Sequence, residues 1–414
     1  MPGFDAHAKP PELDEYGGRK DRKARATGFF HPAKIDGRWW LVDPNGGFYL
    51  QAGVCSLSRG NSAVNVASLK EKYGTPEQWA IKTSAWLREN GFTGSGAWSD
   101  VGLLRGNRIV YSTLNDLMGG FARSRHMVTQ QPGHLGYPGD AIPVFHPEFE
   151  AYARKSAGSL AAYKEDPWLL GHFSDNELPL PADLLDRHLK LDGGDANQAP
   201  GLDAVQSWLK QRKGTAKAEL NDADRDAFLS YVFDRYLSIT TAAIRAADPN
   251  HLCLGPRLYG SSLHHESLIA TAGKHLDILS LNVYNYWTPP ADLITMWESK
   301  SGKPFLVTEW YVKGDDAGFK NSSGAGWIVP TQRDRALFYQ NFTLALLESK
   351  SCVGWHWFKY MDNDPDDPTT DPSNRDSNKG MVDIRYNPYS DVVTGMRELN
   401  RCLYSVVDYF DRSH

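Results

Sequence analysis

Short apolar runs recur along this chain with helical stretches between them, the alternation that signals βα units and a parallel sheet. Strands are predicted near Phe48–Val54, Phe92–Ser99, Ile109–Leu114, Trp168–Asp175, Leu252–Tyr259, Asp277–Tyr284, Phe305–Trp310 and Val353–Phe358. Eight such strands with crossovers favour closure, so the expected fold is α/β, a (β/α)₈ TIM barrel. Helix starts are written between them: Thr75 can cap, Pro76 suits a first turn, and Gln78 completes a capping box before Trp79. Ahead of the barrel, Trp39–Val42 and Phe48–Val54 flank Asp43-Pro44-Asn45-Gly46, which is hairpin chemistry, and the second run is expected to enter as the first strand.

Two segments fall outside this rhythm. Residues 1–26 are polar and aperiodic and read as an N-terminal arm, either mobile or wrapped along the fold, ahead of a catalytic domain over 27–414. Residues 178–226, beginning Leu178-Pro-Leu-Pro181, are too long for a plain loop after the fourth strand. They form an insertion that either walls a cleft at the carboxyl ends of the strands or rides passively on the surface.

Composition narrows the classes. With 41% hydrophobic and 23% charged residues the chain can bury a sizeable core. A net charge of −5 provides no broad positive field for a phosphate backbone, which argues against nucleic acid as partner. Thirteen Trp and 19 Tyr exceed what packing needs and include rings able to stack on sugars. The four cysteines, at 55, 253, 352 and 402, form no CxxC pair and read as free thiols. No apolar stretch approaches the ~18 residues of a membrane span, and the first residues have no apolar signal core.

Reacting groups of barrel enzymes sit at the carboxyl ends of strands, and two glutamates are placed there. The run from Trp168 ends in Asn176-Glu177 at the fourth strand, and that from Lys303 ends in Glu309 at the seventh. Three strands apart on one ring, both could face one sugar. Glycoside hydrolysis needs such a pair: one carboxyl to protonate the leaving oxygen, another to attack, at about 5–5.5 Å for retention or about 6.5–9.5 Å for inversion. With Glu177 as acid/base and Glu309 as nucleophile, esterification of Glu309 removes its charge and lets Glu177 switch from acid to base. Asn176 would hold the substrate's 2-hydroxyl.

Around this pair, Tyr284, with Tyr286 second, could hydrogen-bond Glu309, or either could be a rim aromatic. Arg257 could pair with Glu309 or bind a hydroxyl, or make a structural ion pair. Trp310, Trp355 and Trp357 are candidate stacking floors; strand alternation puts Trp355 and Trp357 on one face and His356 on the other, and one of those sets points inward. Trp98 and Trp327 are weaker candidates. His172 could contact sugar or be a satisfied core histidine. No HExxH, P-loop or GxSxG pattern occurs, and the acidic run 362–371 lacks EF-hand spacing. Neither metal nor cofactor is expected.

Asn176-Glu177 and Glu309 resemble the arrangement of clan A of the glycoside hydrolases. The segments 308–314, 323–327, 331–335, 338–342 and 354–364, with AspGlyArgTrpTrpLeuValAspProAsnGly at 36–46, look like family 50, the β-agarases. The similarity spans about Phe29 to Phe410. It implies hydrolysis of β-1,4-galactosidic bonds of agarose or agaro-oligosaccharides with retention, Glu177 matching the acid/base and Glu309 the nucleophile. The larger members carry an extra β-sandwich domain before the barrel, for which this chain has no room. Alternatives are another β-linked polysaccharide (porphyran, a β-galactoside, a β-mannan) or a carbohydrate-binding barrel without catalysis. The implied substrate lies outside cells, so a secreted or periplasmic protein lacking its signal here is expected, with the cytoplasm as alternative; the partner is a poly- or oligosaccharide, not a membrane.

Overall fold

A computed structural model describes residues 4–5, 9–217 and 219–412. It is a mixed α/β structure whose centre is parallel sheet. The central strands are β1 (Gln51–Val54), β2 (Gly94–Ser95), β3 (Tyr111–Leu114), β4 (Leu169–Phe173), β5 (Leu252–Gly255, continued by Leu258–Tyr259), β6 (Leu279–Asn282), β7 (Phe305–Trp310) and β8 (Cys352–Trp357). β1 to β7 each lie within a segment that the apolar pattern marks as strand, and β8 begins one residue before its segment.

Their parallel pairings run in sequence order. β1 pairs with β2, β2 meets the start of β3 through a bridge from Gly94 to Val110, and β3 pairs with β4, which pairs with β5. The continuation of β5 pairs with β6, then β6 with β7, β7 with β8, and β8 returns to β1. All eight therefore present their carboxyl ends on one side. The strands are buried almost throughout, as strands covered on both faces must be. Helices such as Pro76–Glu89, Asp222–Ala247 and Gln332–Glu348 cover the outside. At Pro76–Glu89 the Thr75 hydroxyl accepts from the Gln78 amide at 3.3 Å, the first half of the expected capping box.

Ahead of β1 the chain makes a small antiparallel sheet, in which Arg38–Val42 pairs with Gly47–Tyr49 across the expected turn. Asp43 accepts from the backbone N–H groups of Asn45 and Gly47, and Gly46 takes φ 85°. The run expected to enter the ring unbroken is thus split after Tyr49, one part in the hairpin and one in β1. Arg19–Lys23 adds to this sheet, and Tyr16 is buried against Phe30 and Trp168. Described residues of the predicted arm therefore run as an extended wrap; residues 1–3 and 6–8 lie outside the described residues.

Within 178–226, helices Leu184–His188 and Ala199–Lys213 pack on the helix Asp222–Ala247, through Trp208 and His188 against Phe228 and an Arg225–Asp186 ion pair. Of this stretch only Leu178 reaches the cleft described next, so the insertion covers a helix and does not wall that cleft; residue 218 lies outside the described residues.

Candidate active site

A cavity of about 1060 Å³ opens at the carboxyl ends of the strands, and Glu177 and Glu309 both line it. β4 ends at Phe173, and the chain turns so that Asn176 and Glu177 face the cavity. Glu177 has φ 48°, a left-handed conformation rare for a residue with a side chain, and its N–H donates to the Pro256 carbonyl at 3.0 Å. Asp175 anchors this turn. Its carboxylate accepts from the Met118 and Gly119 amides at a helix N-terminus and from the Tyr236 hydroxyl, and burial raises its pKa to about 6.

The two glutamates have different surroundings. Among the described residues Glu177 Oε1 accepts one bond, from Asn282 Nδ2 at 2.7 Å. Burial first, then the charge of Glu309, raises its pKa to about 8, against the opposing pull of Asn282 and Arg257. It holds a proton at neutral pH. Glu309 Oε2 receives Arg257 Nη2 at 2.8 Å, and Oε1 receives the Tyr284 hydroxyl. Burial, followed by the charges of Glu309 and Glu177, pushes the Tyr284 phenol well up, so it remains a donor.

Arg257 ties the halves together. Fully buried, it donates through Nη1 to Asn176 Oδ1 at 2.6 Å and through Nη2 also to the Thr308 carbonyl. With Asn176 Oδ1 occupied, the Asn176 amide nitrogen is left to donate to a ligand. Asn282 closes the circuit: its register partner on β7 is Glu309, and its Oδ1 accepts from Thr308 while its nitrogen holds Glu177. One cleft therefore contains a protonated carboxyl and an ion-paired carboxylate, the division of labour that acid-assisted displacement at an acetal requires.

A solved structure described as BpGH50 superposes with a TM-score of 0.85 at 30% identity, covering 99% of this chain and 90% of that one. The chain belongs to glycoside hydrolase family 50. No family model matches the sequence. Among curated proteins, β-agarase B of Vibrio sp. (strain JT0107) is 24% identical over 95% of this chain. This family 50 chain spans about half the length of the curated relatives it matches. An exo-β-agarase structure shares the fold at a TM-score of 0.79 and 22% identity, over 98% of this chain and 69% of that one.

The structure brings Glu177, Glu309, Asn176, Tyr284 and Arg257 together and separates the other candidates from them. Trp310, Trp355 and Trp357 are fully buried and do not line the cleft, which corrects their reading as stacking floors. They face the helix Gln332–Glu348: Trp310 stacks on Phe342 at 4.3 Å, and Trp355 Nε1 donates to the Tyr339 hydroxyl. The inward set is the other one, with His356 bonded to Gln51. His172 is likewise corrected. It is fully buried, bonded through Nε2 to Asp248 and through Nδ1 to Thr113, a satisfied core histidine. Asp248 also takes His251, whose other nitrogen meets the Asp166 carbonyl, so this triad uses its ring nitrogens internally. Tyr286 is outside the cleft and contacts His264.

Residues the pattern missed are Asn282, Asp175, Lys359 and Lys379. Asn282 ends β6, within the predicted strand Asp277–Tyr284, where a polar side chain closing an apolar run was the available signal. Trp98 lines the cleft with φ 64° and 50% exposure, an unusual state for a large ring. Trp327 stacks on Trp287 outside it.

Proposed function

We propose that this chain is a retaining glycoside hydrolase of the clan A type on a (β/α)₈ barrel, cleaving β-1,4-galactosidic bonds of agarose or agaro-oligosaccharides by double displacement. One observation carries the reading: the protonated Glu177 and the Arg257-paired Glu309 line a single cleft. Family membership and the β-agarase relatives supply the sugar class.

In the first step Glu177 gives its proton to the glycosidic oxygen while Glu309 attacks the anomeric carbon, forming a glycosyl ester and releasing the leaving chain. Arg257 and Tyr284 orient Glu309 for attack, and the Asn176 amide nitrogen holds the 2-hydroxyl. Esterification removes the charge of Glu309, which lowers the pKa of Glu177. Glu177 then takes a proton from water, which attacks the ester, and both carboxyl groups return to their starting states. A polysaccharide substrate supports a secreted or periplasmic location over a cytoplasmic one; among the described residues no helix is long and apolar enough to cross a membrane.

The test is product release from agarose and neoagaro-oligosaccharides. Glu177→Gln and Glu309→Gln are expected to be inactive, and azide is expected to restore turnover when a small replacement vacates position 309. Full activity in either Gln variant defeats the reading, and turnover of a different β-linked polysaccharide alone replaces its sugar.

A further inference from the structure

Two lysines of the cleft have no task in the double displacement. Lys359 and Lys379 both line it, and Lys379 is only 2% exposed. The Lys379 ammonium donates to the Ser373 carbonyl at 2.9 Å and to Asn374 Oδ1, and lies 4.6 Å from the Tyr311 ring centre. Lys359 Nζ donates to Asn363 Oδ1 at 2.6 Å and to no other oxygen among the described residues. An ammonium has three donors, so two N–H bonds of Lys359 and one of Lys379 lack an oxygen partner.

The charges facing them are already engaged. Glu309, Asp362 and Asp371 act on Lys359; Glu309, Asp371, Lys359 and Lys313 act on Lys379. Glu309 is held by Arg257 and Tyr284. Asp362 accepts from the amides of Lys379 and Gly380, from Asn378 and from Tyr389. Asp371 accepts from the Ser373 amide and Gln130. Lys313 spends its ammonium on the carbonyls of Asn321, Ser323 and Gly324. Neither cleft lysine forms an ion pair with a carboxylate among the described residues. Burial lowers Lys359 to about 8 and Lys379 to about 7, the latter also through its cationic neighbours. A buried and a half-buried ammonium with unfilled donors bind an oxyanion better than a hydroxyl, because the anion answers both charge and hydrogen-bond demand.

We propose that Lys359 and Lys379 form an oxyanion subsite of the cleft, which takes a sulfate ester or a carboxylate borne by a sugar of the bound chain. The inference rests on the cleft being the glycan site and adds charge recognition to it. Its test compares length-matched neutral, sulfated and uronate-bearing galacto-oligosaccharides by calorimetry in the Glu309→Gln background, with and without Lys359→Met or Lys379→Met. One charged ligand is expected to bind about tenfold tighter than the neutral one, and which one identifies the anion. Either Met substitution removes that preference, and Lys379→Arg keeps it. Binding at pH 8 takes up protons, so the heat varies with the ionisation enthalpy of the buffer. With wild-type protein, inorganic sulfate is expected to compete with substrate more strongly at pH 6 than at pH 9. Equal affinity for charged and neutral chains, or Met variants that weaken both alike, overturns the subsite. Turnover of neutral chains beside such a result leaves the hydrolase reading intact, whereas absence of turnover with every galactan defeats that reading alone.

Discussion

Glu309→Gln should change the acidity of a residue it does not touch covalently. Glu177 owes part of its raised pKa, about 8, to the charge of Glu309. At the ~5.5 Å separation of a retaining pair, two unit charges at an effective dielectric of about 20 repel by about 3 kcal/mol. That is about two pH units. The sign is fixed: without the neighbouring negative charge, ionising Glu177 becomes easier, and Arg257, freed from its partner, pulls the same way. The midpoint should therefore fall from about 8 to about 6. Difference infrared titration reads it directly from the protonated carboxyl stretch, subtracting Glu177→Gln from wild type and the double variant from Glu309→Gln. The same substitution mimics the uncharged glycosyl ester, so the shift measures the acid-to-base switch. An unchanged midpoint would refute the coupling, and with it the reason one residue can serve both steps.

Other consequences are independent of that titration. Glu177 binds its proton more tightly folded than unfolded, where its value is 4.5; the stability this carries is complete below pH 4.5 and lost as pH rises through about 8. Glu177→Gln should thus raise the melting temperature at pH 9, by a few kcal/mol of stability, and leave it unchanged at pH 4. Tyr284→Phe removes one of the two donors on Glu309 and should lower kcat by about 10- to 100-fold with KM little altered, as steady-state kinetics will show. Trp98→Ala deletes an exposed ring of the cleft wall and should raise KM severalfold while sparing kcat on the shortest substrate. Asp248→Ala strips two buried histidines of their partner and should cost about 3–5 kcal/mol in denaturant unfolding, with kcat per folded molecule unchanged.

The strand pattern was legible because strands covered on both faces are nearly uninterrupted apolar runs, and each of β1 to β8 coincides with one to within a residue. Glu177 and Glu309 were legible because they are acidic residues ending such runs. Side-chain direction was not. Strand alternation would set His172 and Asn176 on one face, but β4 ends at Phe173 and the alternation stops short of Asn176, so His172 faces Asp248 while Asn176 faces Arg257. Alternation also allowed either Trp355 and Trp357 or His356 inside, and the choice depended on a distant helix carrying Tyr339. Lys379 lies outside every strand, in the long connection after β8, where Asp362, 17 residues earlier in the same connection, holds its backbone. No local pattern encodes that contact.

The assignment of attack to Glu309 and proton transfer to Glu177 is tested most directly by covalent trapping. A 2-deoxy-2-fluoro galactoside with an activated leaving group slows breakdown of a glycosyl ester, and peptide mass mapping then locates the label. The label is expected on Glu309, in the peptide containing Thr308-Glu309-Trp310. A label on Glu177, or turnover that yields the α-anomer first with no adduct on any residue, contradicts the account.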